Sequence, residues 1–129
     1  LKAGNMPGYP TATEEYDGSS WTAGGALSTG RGENAAAGIQ TASLAISGGT
    51  SDPGSITTVE SYNGTSWTSS PSVNVGRRGK PGGSGTSTAA LFFGGYTSPP
   101  SPSNMVASTE SYDGSSWSEV NNLIEARYS

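Results

Sequence analysis

Side chains that commonly carry enzyme chemistry are scarce in this 129-residue sequence. Histidine and cysteine are both absent, which removes the commonest general base, the commonest metal ligand, disulfides and thiolate metal sites. The adjacent carboxylates of Glu14 and Glu15 would point to opposite faces of a strand, so they do not suit paired acid–base work. We therefore expect no catalytic residue, no metal site and no cofactor, and we predict that this chain is not an enzyme.

Two short stretches invite a ligand-binding interpretation. Residues 76–83 combine glycines with Arg77, Arg78 and Lys80, but no buried strand precedes them and no Ser or Thr follows the lysine, as a phosphate-binding P-loop requires. Residues 17–20 lack the alternating oxygen ligands of an EF-hand calcium loop. We interpret the first stretch as the start of a strand and the second as an Asx-type hairpin turn.

The composition narrows the classes of partner. Charged residues make up 12% of the chain and the net charge is −4, which argues against a basic face for nucleic acid. No apolar run reaches the length that spans a bilayer, so we expect no membrane insertion. Glycine occupies 20 positions, and three tryptophans are regularly spaced among Ser- and Thr-rich segments. This combination predicts many short strands joined by turns.

An internal repeat dominates the sequence. Three segments share a Glu two residues before a Tyr and a Trp five residues after it: Glu14, Tyr16 and Trp21; Glu60, Tyr62 and Trp67; and Glu110, Tyr112 and Trp117. An Arg follows each Trp by ten residues, and a Gly-Gly pair follows the first two by 27 residues, at Arg31, Arg77, Arg127, Gly48-Gly49 and Gly94-Gly95. Residues 1–30 therefore end one repeat, 31–76 and 77–126 are full repeats, and 127–129 begin another.

Each full repeat contains four segments of strand length. In the repeat 31–76 these are residues 34–39, 41–47, 57–62 and 67–69, with Asn63-Gly64 as a hairpin signal. The tryptophans are 46 and then 50 residues apart, and we assign all four extra residues to the connection after Gly94-Gly95, as expected of a surface loop. Four short strands in a repeat of this length predict one blade of a β-propeller.

The order of these features resembles the kelch repeat: an apolar strand closed by Gly-Gly, a Tyr-turn-Trp hairpin and a downstream Arg. Residues 14–21, 60–67 and 41–49 are more narrowly similar to kelch-like repeats in virion proteins of marine tailed phages, including cyanophages. The resemblance covers residues 13–129. It implies an all-β fold, a kelch-like β-propeller segment of about 2.5–3 four-stranded blades. The Tyr-to-Trp spacing is tighter than in the usual kelch pattern, so a shorter hairpin is expected.

The resemblance also implies structural roles for the repeated residues. Trp and Tyr are expected in the seams between blades, where large apolar side chains with a polar tip pack well. The Gly-Gly pairs should permit a turn with positive φ. We expect Glu60 and Arg77, with their equivalents, to form an opposite-charge pair, fully hydrogen-bonded if it is buried.

Closure of the propeller ring needs more blades than this sequence contains, since propellers typically have four to eight. Two completions remain open at this point. Sequence missing from this chain could supply the other blades. Alternatively, copies of the chain could close the ring, since two would give about six blades.

The resemblance implies a non-enzymatic structural or host-attachment module in the tail or fibre of a phage, or in another extracellular assembly. Its partners would be other virion proteins, copies of itself or a host-surface glycan bound through the connections between strands. The candidate carbohydrate contacts are Tyr96, Asn104 and Met105 in the longer connection, with Asp52 in the matching one. A kelch scaffold for protein–protein interaction is one alternative. Another is part of a larger enzyme whose active site lies outside this segment.

Overall fold

The computed structural model describes residues 1–4, 8–50, 54–97 and 104–127. These residues form three antiparallel β-sheets and contain no α-helix, which confirms the predicted all-β fold. The first sheet comprises β1 (Lys2–Ala3), β2 (Thr13–Tyr16) and β3 (Trp21–Ala23). The second comprises β4 (Ala35–Ile39), β5 (Ala42–Ile46), β6 (Val59–Tyr62) and β7 (Trp67–Ser70). The third comprises β8 (Gly82–Gly85), β9 (Ala90–Phe93), β10 (Thr109–Tyr112) and β11 (Trp117–Val120).

Both four-stranded sheets are simple meanders, with spatial orders β4-β5-β6-β7 and β8-β9-β10-β11. The repeated Tyr and Trp are cross-strand partners in a hairpin, since Tyr62 pairs with Trp67 and Tyr112 with Trp117. Tyr16 pairs with Trp21 in the same way in the first sheet. The short hairpin expected from the Tyr-to-Trp spacing therefore occurs in all three sheets, with four residues in its turn.

Each sheet has two distinct faces, because side chains alternate along a strand and paired residues share a face. The leading face carries the repeated Glu, Tyr and Trp, which in the second sheet are Glu60, Tyr62 and Trp67. The trailing face is the opposite one, where the second sheet places apolar side chains such as Leu44 and Ile46. This division follows from the period of two in the sequence.

The hydrophobic core lies in two seams between consecutive sheets. The seam between the first and second sheets buries Leu27, Ala45, Tyr62 and Trp67, with Ala3 packed against them. The seam between the second and third sheets buries a larger set: Ala35, Ala37, Leu44, Ile46, Val59, Val73, Ala90, Phe92, Tyr112 and Trp117. In both seams the leading face of one sheet covers the trailing face of the sheet before it, so neither sheet shields its apolar surface alone.

The second and third sheets approach each other most closely at β4 and β8. These strands are made almost entirely of Ala and Gly, and a Cβ at Gly83 would lie only 2.3 Å from the carbonyl oxygen of Ala36. Small residues therefore allow the two backbones to meet at this edge. Sheets that converge at one edge strand are arranged as consecutive blades of a partial, unclosed propeller.

The structure corrects the predicted register of the Gly-Gly pairs by one residue. The N–H of Gly48 donates to the carbonyl of Arg77 at 2.9 Å, and the matching bond in the third sheet is made by Gly95 with Arg127 at 2.8 Å. Gly95 therefore matches Gly48, and Gly94 matches Ser47. Gly94 and Ser47 have positive φ values of 67° and 58°. Gly49 does not have a positive φ.

This shift places the four extra residues of the second repeat in two different connections. The strand β4 begins four residues after Arg31, whereas β8 begins five residues after Arg77. One extra residue therefore precedes β8. The N–H of Val106 donates to the carbonyl of Gly95 as the N–H of Ile56 donates to that of Gly48, so the other three extra residues lie between Gly95 and Val106. The prediction that all four follow the Gly-Gly pair is wrong by this one residue.

Candidate functional site

Buried ion pairs occupy the repeated Arg and Glu positions, but the partners differ from the predicted ones. Arg31 Nη2 lies 2.7 Å from Glu60 Oε2, and Arg77 Nη2 lies 2.9 Å from Glu110 Oε1. Glu60 was expected to pair with Arg77. The Arg instead begins its own sheet and reaches the Glu of that same sheet, about thirty residues later in the chain.

Hydrogen bonds compensate for most of the burial of these charges, although the second pair is not fully hydrogen-bonded as expected, because Arg77 Nε is buried without a partner. Arg31 Nη1 donates to the carbonyls of Ser47 and Thr58 at 3.1 and 2.8 Å, while Glu60 accepts from the N–H and hydroxyl of Ser28. Burial lowers the pKa of Arg31, against the opposing effect of Glu60. Burial also raises the pKa of Glu60, but the Ser28 hydrogen bonds and Arg31 outweigh it, so the net shift is downward. Both groups stay ionised at neutral pH. The pair ties the β3–β4 connection, which carries Ser28 and Arg31, to the β5–β6 connection, which carries Ser47 and Thr58.

The repeated indoles make specific polar contacts across the seams. Trp67 Nε1 donates to Thr13 Oγ1 at 2.8 Å, and Trp117 Nε1 donates to the carbonyl of Pro71 at 2.9 Å. The hydroxyl of Tyr62 donates to Glu15 of the first sheet, and its pKa is raised by burial and by that carboxylate. These side chains fix one sheet on the next and are not available to a ligand.

The hairpin turns at the Asp-Gly and Asn-Gly positions are Asx turns rather than cation sites. Asp17 Oδ1 accepts from the N–H groups of Ser19 and Ser20, both at 2.8 Å. These hydrogen bonds lower the pKa of Asp17 to about 2. Asn63 makes the same contacts with Thr65 and Ser66 without any charge, so the position selects a turn former.

Most of the predicted ligand contacts lie together at one end of the sheets. We call this end the long-loop face, because it carries the β5–β6 and β9–β10 connections and the links between sheets. Tyr96 forms an isolated bridge with Met105, and the N–H of Thr97 donates to the carbonyl of Asn104 at 3.0 Å. All three predicted residues are half-buried at the base of the connection. Asp52 lies outside the described residues.

Four half-buried side chains from different parts of the chain converge on this face, and we call them the long-loop cluster: Tyr9, Glu33, Arg78 and Tyr96. Glu33 Oε2 accepts from the hydroxyl of Tyr96 at 3.3 Å and from the N–H of Gly79 at 3.0 Å. The guanidinium carbon of Arg78 lies 5.9 Å from the centre of the Tyr96 ring. Tyr9 and Arg78 flank Gly49, where a Cβ would lie 3.5 and 3.0 Å from their nearest atoms.

Electrostatics and backbone geometry also distinguish the long-loop cluster. Burial, with the negative charge of Glu33, raises the pKa of Tyr96, so its hydroxyl is protonated and able to donate. Arg78 Nε is buried without a hydrogen-bond partner, as is Nε of the ion-paired Arg77, although buried donors are normally paired. Tyr9 and Glu33 have positive φ values of 51° and 55°, which non-glycine residues adopt at an energetic cost. Strained backbone of this kind concentrates at binding sites.

Sequence reasoning found Tyr96, considered Arg78 only as part of a phosphate-binding loop that it rejected, and missed Tyr9 and Glu33. These residues do not recur as a pattern, and each comes from a connection rather than from a strand. One signal was available for Tyr9. The carbonyls of Thr11 and Ala107 accept equivalent hydrogen bonds, from the N–H groups of Leu27 and Leu123. Tyr9 lies two residues before Thr11, as Met105 lies two residues before Ala107. Aligning the connections as well as the strands would have shown that Tyr9 occupies the repeat position of the predicted contact Met105.

Two further findings describe the chemistry of the chain. Within the described ranges, no group of three or more Asp, Glu, His or Cys side chains is arranged to hold a metal ion. Over the same residues, no helix is long and apolar enough to cross a membrane. Comparison of the sequence with protein-family models and with curated proteins found no match.

Proposed function

We propose that this chain is a kelch-like propeller segment with a non-enzymatic display or attachment role in a phage virion or similar extracellular assembly, and that its long-loop face binds a host-surface glycan. The observation that carries the ligand proposal is the convergence of Tyr9, Glu33, Arg78 and Tyr96 from three successive sheets. The kelch and virion parts of the proposal rest on the resemblance of the repeats.

The chemistry of the long-loop cluster suits a carbohydrate. Aromatic rings offer apolar faces to the C–H groups of a sugar, and their hydroxyls offer hydrogen bonds. Glu33 has carboxylate oxygens that accept hydrogen bonds, and the half-buried Arg78 has guanidinium N–H groups, so the cluster contains both kinds of polar group that sugar hydroxyls need. A few polar groups among aromatic surfaces are typical of small-ligand sites.

The scaffold supports a site that is already formed before binding. The backbone bridges Gly32–Gly49 and Arg78–Tyr96 connect the loops of the cluster to the sheet edges. Arg77, adjacent to Arg78, is fully buried and ion-paired with Glu110. Because these contacts fix the backbone of the loops, little ordering cost remains for binding.

A glycan array probed with the purified chain tests this proposal, followed by calorimetry on any sugar that binds. Tyr96→Ala and Arg78→Gln should each weaken binding by about tenfold or more, because each removes a contact at the centre of the cluster. Ile39→Ala is the control, since Ile39 is an exposed apolar residue at the opposite, hairpin end of its strand. It should bind sugar like the wild type.

Two outcomes contradict the glycan proposal. One is an array without binding while circular dichroism shows a folded all-β protein. The other is sugar binding that Ile39→Ala abolishes and Tyr96→Ala leaves unchanged, which would place the site elsewhere.

A further inference from the structure

Two uncovered sheet faces flank the three-sheet array, and their chemistry is complementary. The trailing face of the third sheet lines an open cavity of about 630 Å³. Its lining includes Leu91, Phe93, Thr109, Val120 and Leu123. Leu91, Phe93 and Leu123 have repeat equivalents in the second sheet, which are Leu44, Ile46 and Val73 in that order. All three equivalents are buried in the seam under the third sheet.

The leading face of the first sheet carries the matching aromatic residues. Trp21 is 55% exposed and Tyr16 is 43% exposed. Their equivalents Trp67 and Trp117 are only 9% and 7% exposed, because each packs on the sheet before its own. The two exposed rings contact each other in a tilted arrangement, with their centroids 5.1 Å apart. A pair of large exposed aromatic side chains marks an interaction site.

The two faces also carry the repeated charges in an exposed form. Glu14 aligns with the buried Glu60 and Glu110, and Arg127 aligns with the buried Arg31 and Arg77, yet both Glu14 and Arg127 are exposed. The backbone of Arg127 already occupies its repeat position, since its carbonyl accepts from Gly95 as that of Arg77 accepts from Gly48.

We propose that a second copy of this chain docks head to tail on these faces, with the leading face of its first sheet covering the trailing face of the third. The new seam would reproduce the two internal seams. Trp21 and Tyr16 of one copy would enter the cavity lined by Leu91, Phe93 and Leu123 of the other. This inference does not depend on glycan binding.

Particular contacts in the new seam follow from the repeat. Thr109 lies at the position of Thr13, the first residue of its strand, and the hydroxyl of Thr13 accepts from the indole of Trp67. Trp21 should therefore donate to Thr109 of the other copy. Ile124 is the repeat equivalent of Ser28 and Asn74, whose N–H groups donate to Glu60 and Glu110. The N–H of Ile124 should therefore donate to Glu14 of the other copy.

Two copies provide six sheets, which lies within the range of closed propellers. The interface is heterologous, because different patches of the two copies meet, and such contacts form closed rings when the rotation allows it. A two-copy ring contains the new seam twice. We therefore expect a dimer as the main species.

Light scattering coupled to size exclusion, over a concentration series, tests the proposal on the chain as it stands. The wild type should have about twice the 12.9 kDa chain mass. Trp21→Ser and Arg127→Glu should each weaken self-association by about tenfold or more, since each removes a central contact. Ile39→Ser and Lys80→Glu are matched controls, because both residues are exposed and lie on neither face. They should remain dimeric.

Mixing two variants distinguishes head-to-tail docking from every symmetric contact. Trp21→Ser blocks only the leading face and Arg127→Glu blocks only the trailing face. Each alone should be monomeric, whereas a mixture should form a one-to-one complex through the one intact pair of faces. A monomeric wild type at all concentrations would overturn the proposal, as would a dimer that Trp21→Ser and Arg127→Glu leave intact.

Discussion

The buried Arg–Glu pairs place opposite charges in the interior of the second and third sheets. Arg77 is fully buried, and its charge is balanced by Glu110, while its Nη1 donates to the carbonyl of Ser108 at 2.7 Å. Its guanidinium also lies 4.3 Å from the centre of the Phe92 ring. Replacing an intact pair by apolar residues is often harmless, but removing one partner leaves an uncompensated buried charge.

Substitution of the carboxylate should therefore be costly. Glu110→Ala should lower the free energy of unfolding by about 3–5 kcal/mol, because Arg77 keeps its charge without a counter-ion. Urea denaturation followed by tryptophan fluorescence measures this loss. Glu119→Ala is the control, since Glu119 lies opposite Glu110 and near Arg77 but is exposed, so that solvent screens its charge and its effect should stay within about 0.5 kcal/mol. A loss below about 1 kcal/mol for Glu110→Ala would show that the pair is not an essential structural contact.

At the scale of elements, most strands could be predicted because their signals are local. Residues 57–62 alternate between apolar and polar side chains and run into Asn63-Gly64, and β6 lies at Val59–Tyr62. The Ala-rich stretch after Arg31 was predicted as a strand from its repeat context, and β4 lies at Ala35–Ile39. The period of two and the turn residues suffice for such assignments.

The features that sequence reasoning missed are contacts between elements. Matching Gly94-Gly95 to Gly48-Gly49 concealed the one-residue shift, because the backbone accepts Ser47 at the positive φ where the second repeat has Gly94. The partner of Glu60 depends on how a connection folds back, which the repeat period does not encode. The long-loop cluster brings together residues far apart in the sequence, and no local pattern marks them.

The approach of β4 and β8 gives a prediction at the element scale. Gly83→Ala places a methyl group against the carbonyl of Ala36, so the two strands must separate. Overpacking of this kind should lower the free energy of unfolding by about 1–3 kcal/mol, measured by urea denaturation. Ser84→Ala in the same strand is the control, because Ser84 is exposed and its change adds no atoms. Equal stability of the Gly83→Ala variant and the wild type would show that the sheets are not held together at this edge.

At the scale of the whole molecule, every sheet depends on a neighbour. Tyr62 and Trp67 are buried only because the first sheet lies beside them, and Leu44 and Ile46 only because the third sheet covers them. In arrays of repeats, stability is close to a sum of unit terms and nearest-neighbour interfaces. A further seam between copies would therefore add to the stability of the first and third sheets, which each have one uncovered face.

That coupling predicts a concentration-dependent stability. Because only folded chains can form the seam between copies, the urea midpoint of the wild type should rise as the protein concentration rises. For a dimer, each tenfold increase contributes about 1.4 kcal/mol per mole of dimer to the free energy of unfolding. The midpoint of Arg127→Glu should not change with concentration, whereas that of Lys80→Glu, which makes the same change of charge away from both faces, should rise like the wild type. If the wild-type midpoint were constant over the same range, the folded chain would gain nothing from a second copy, and the exposed indole of Trp21 would need a different partner.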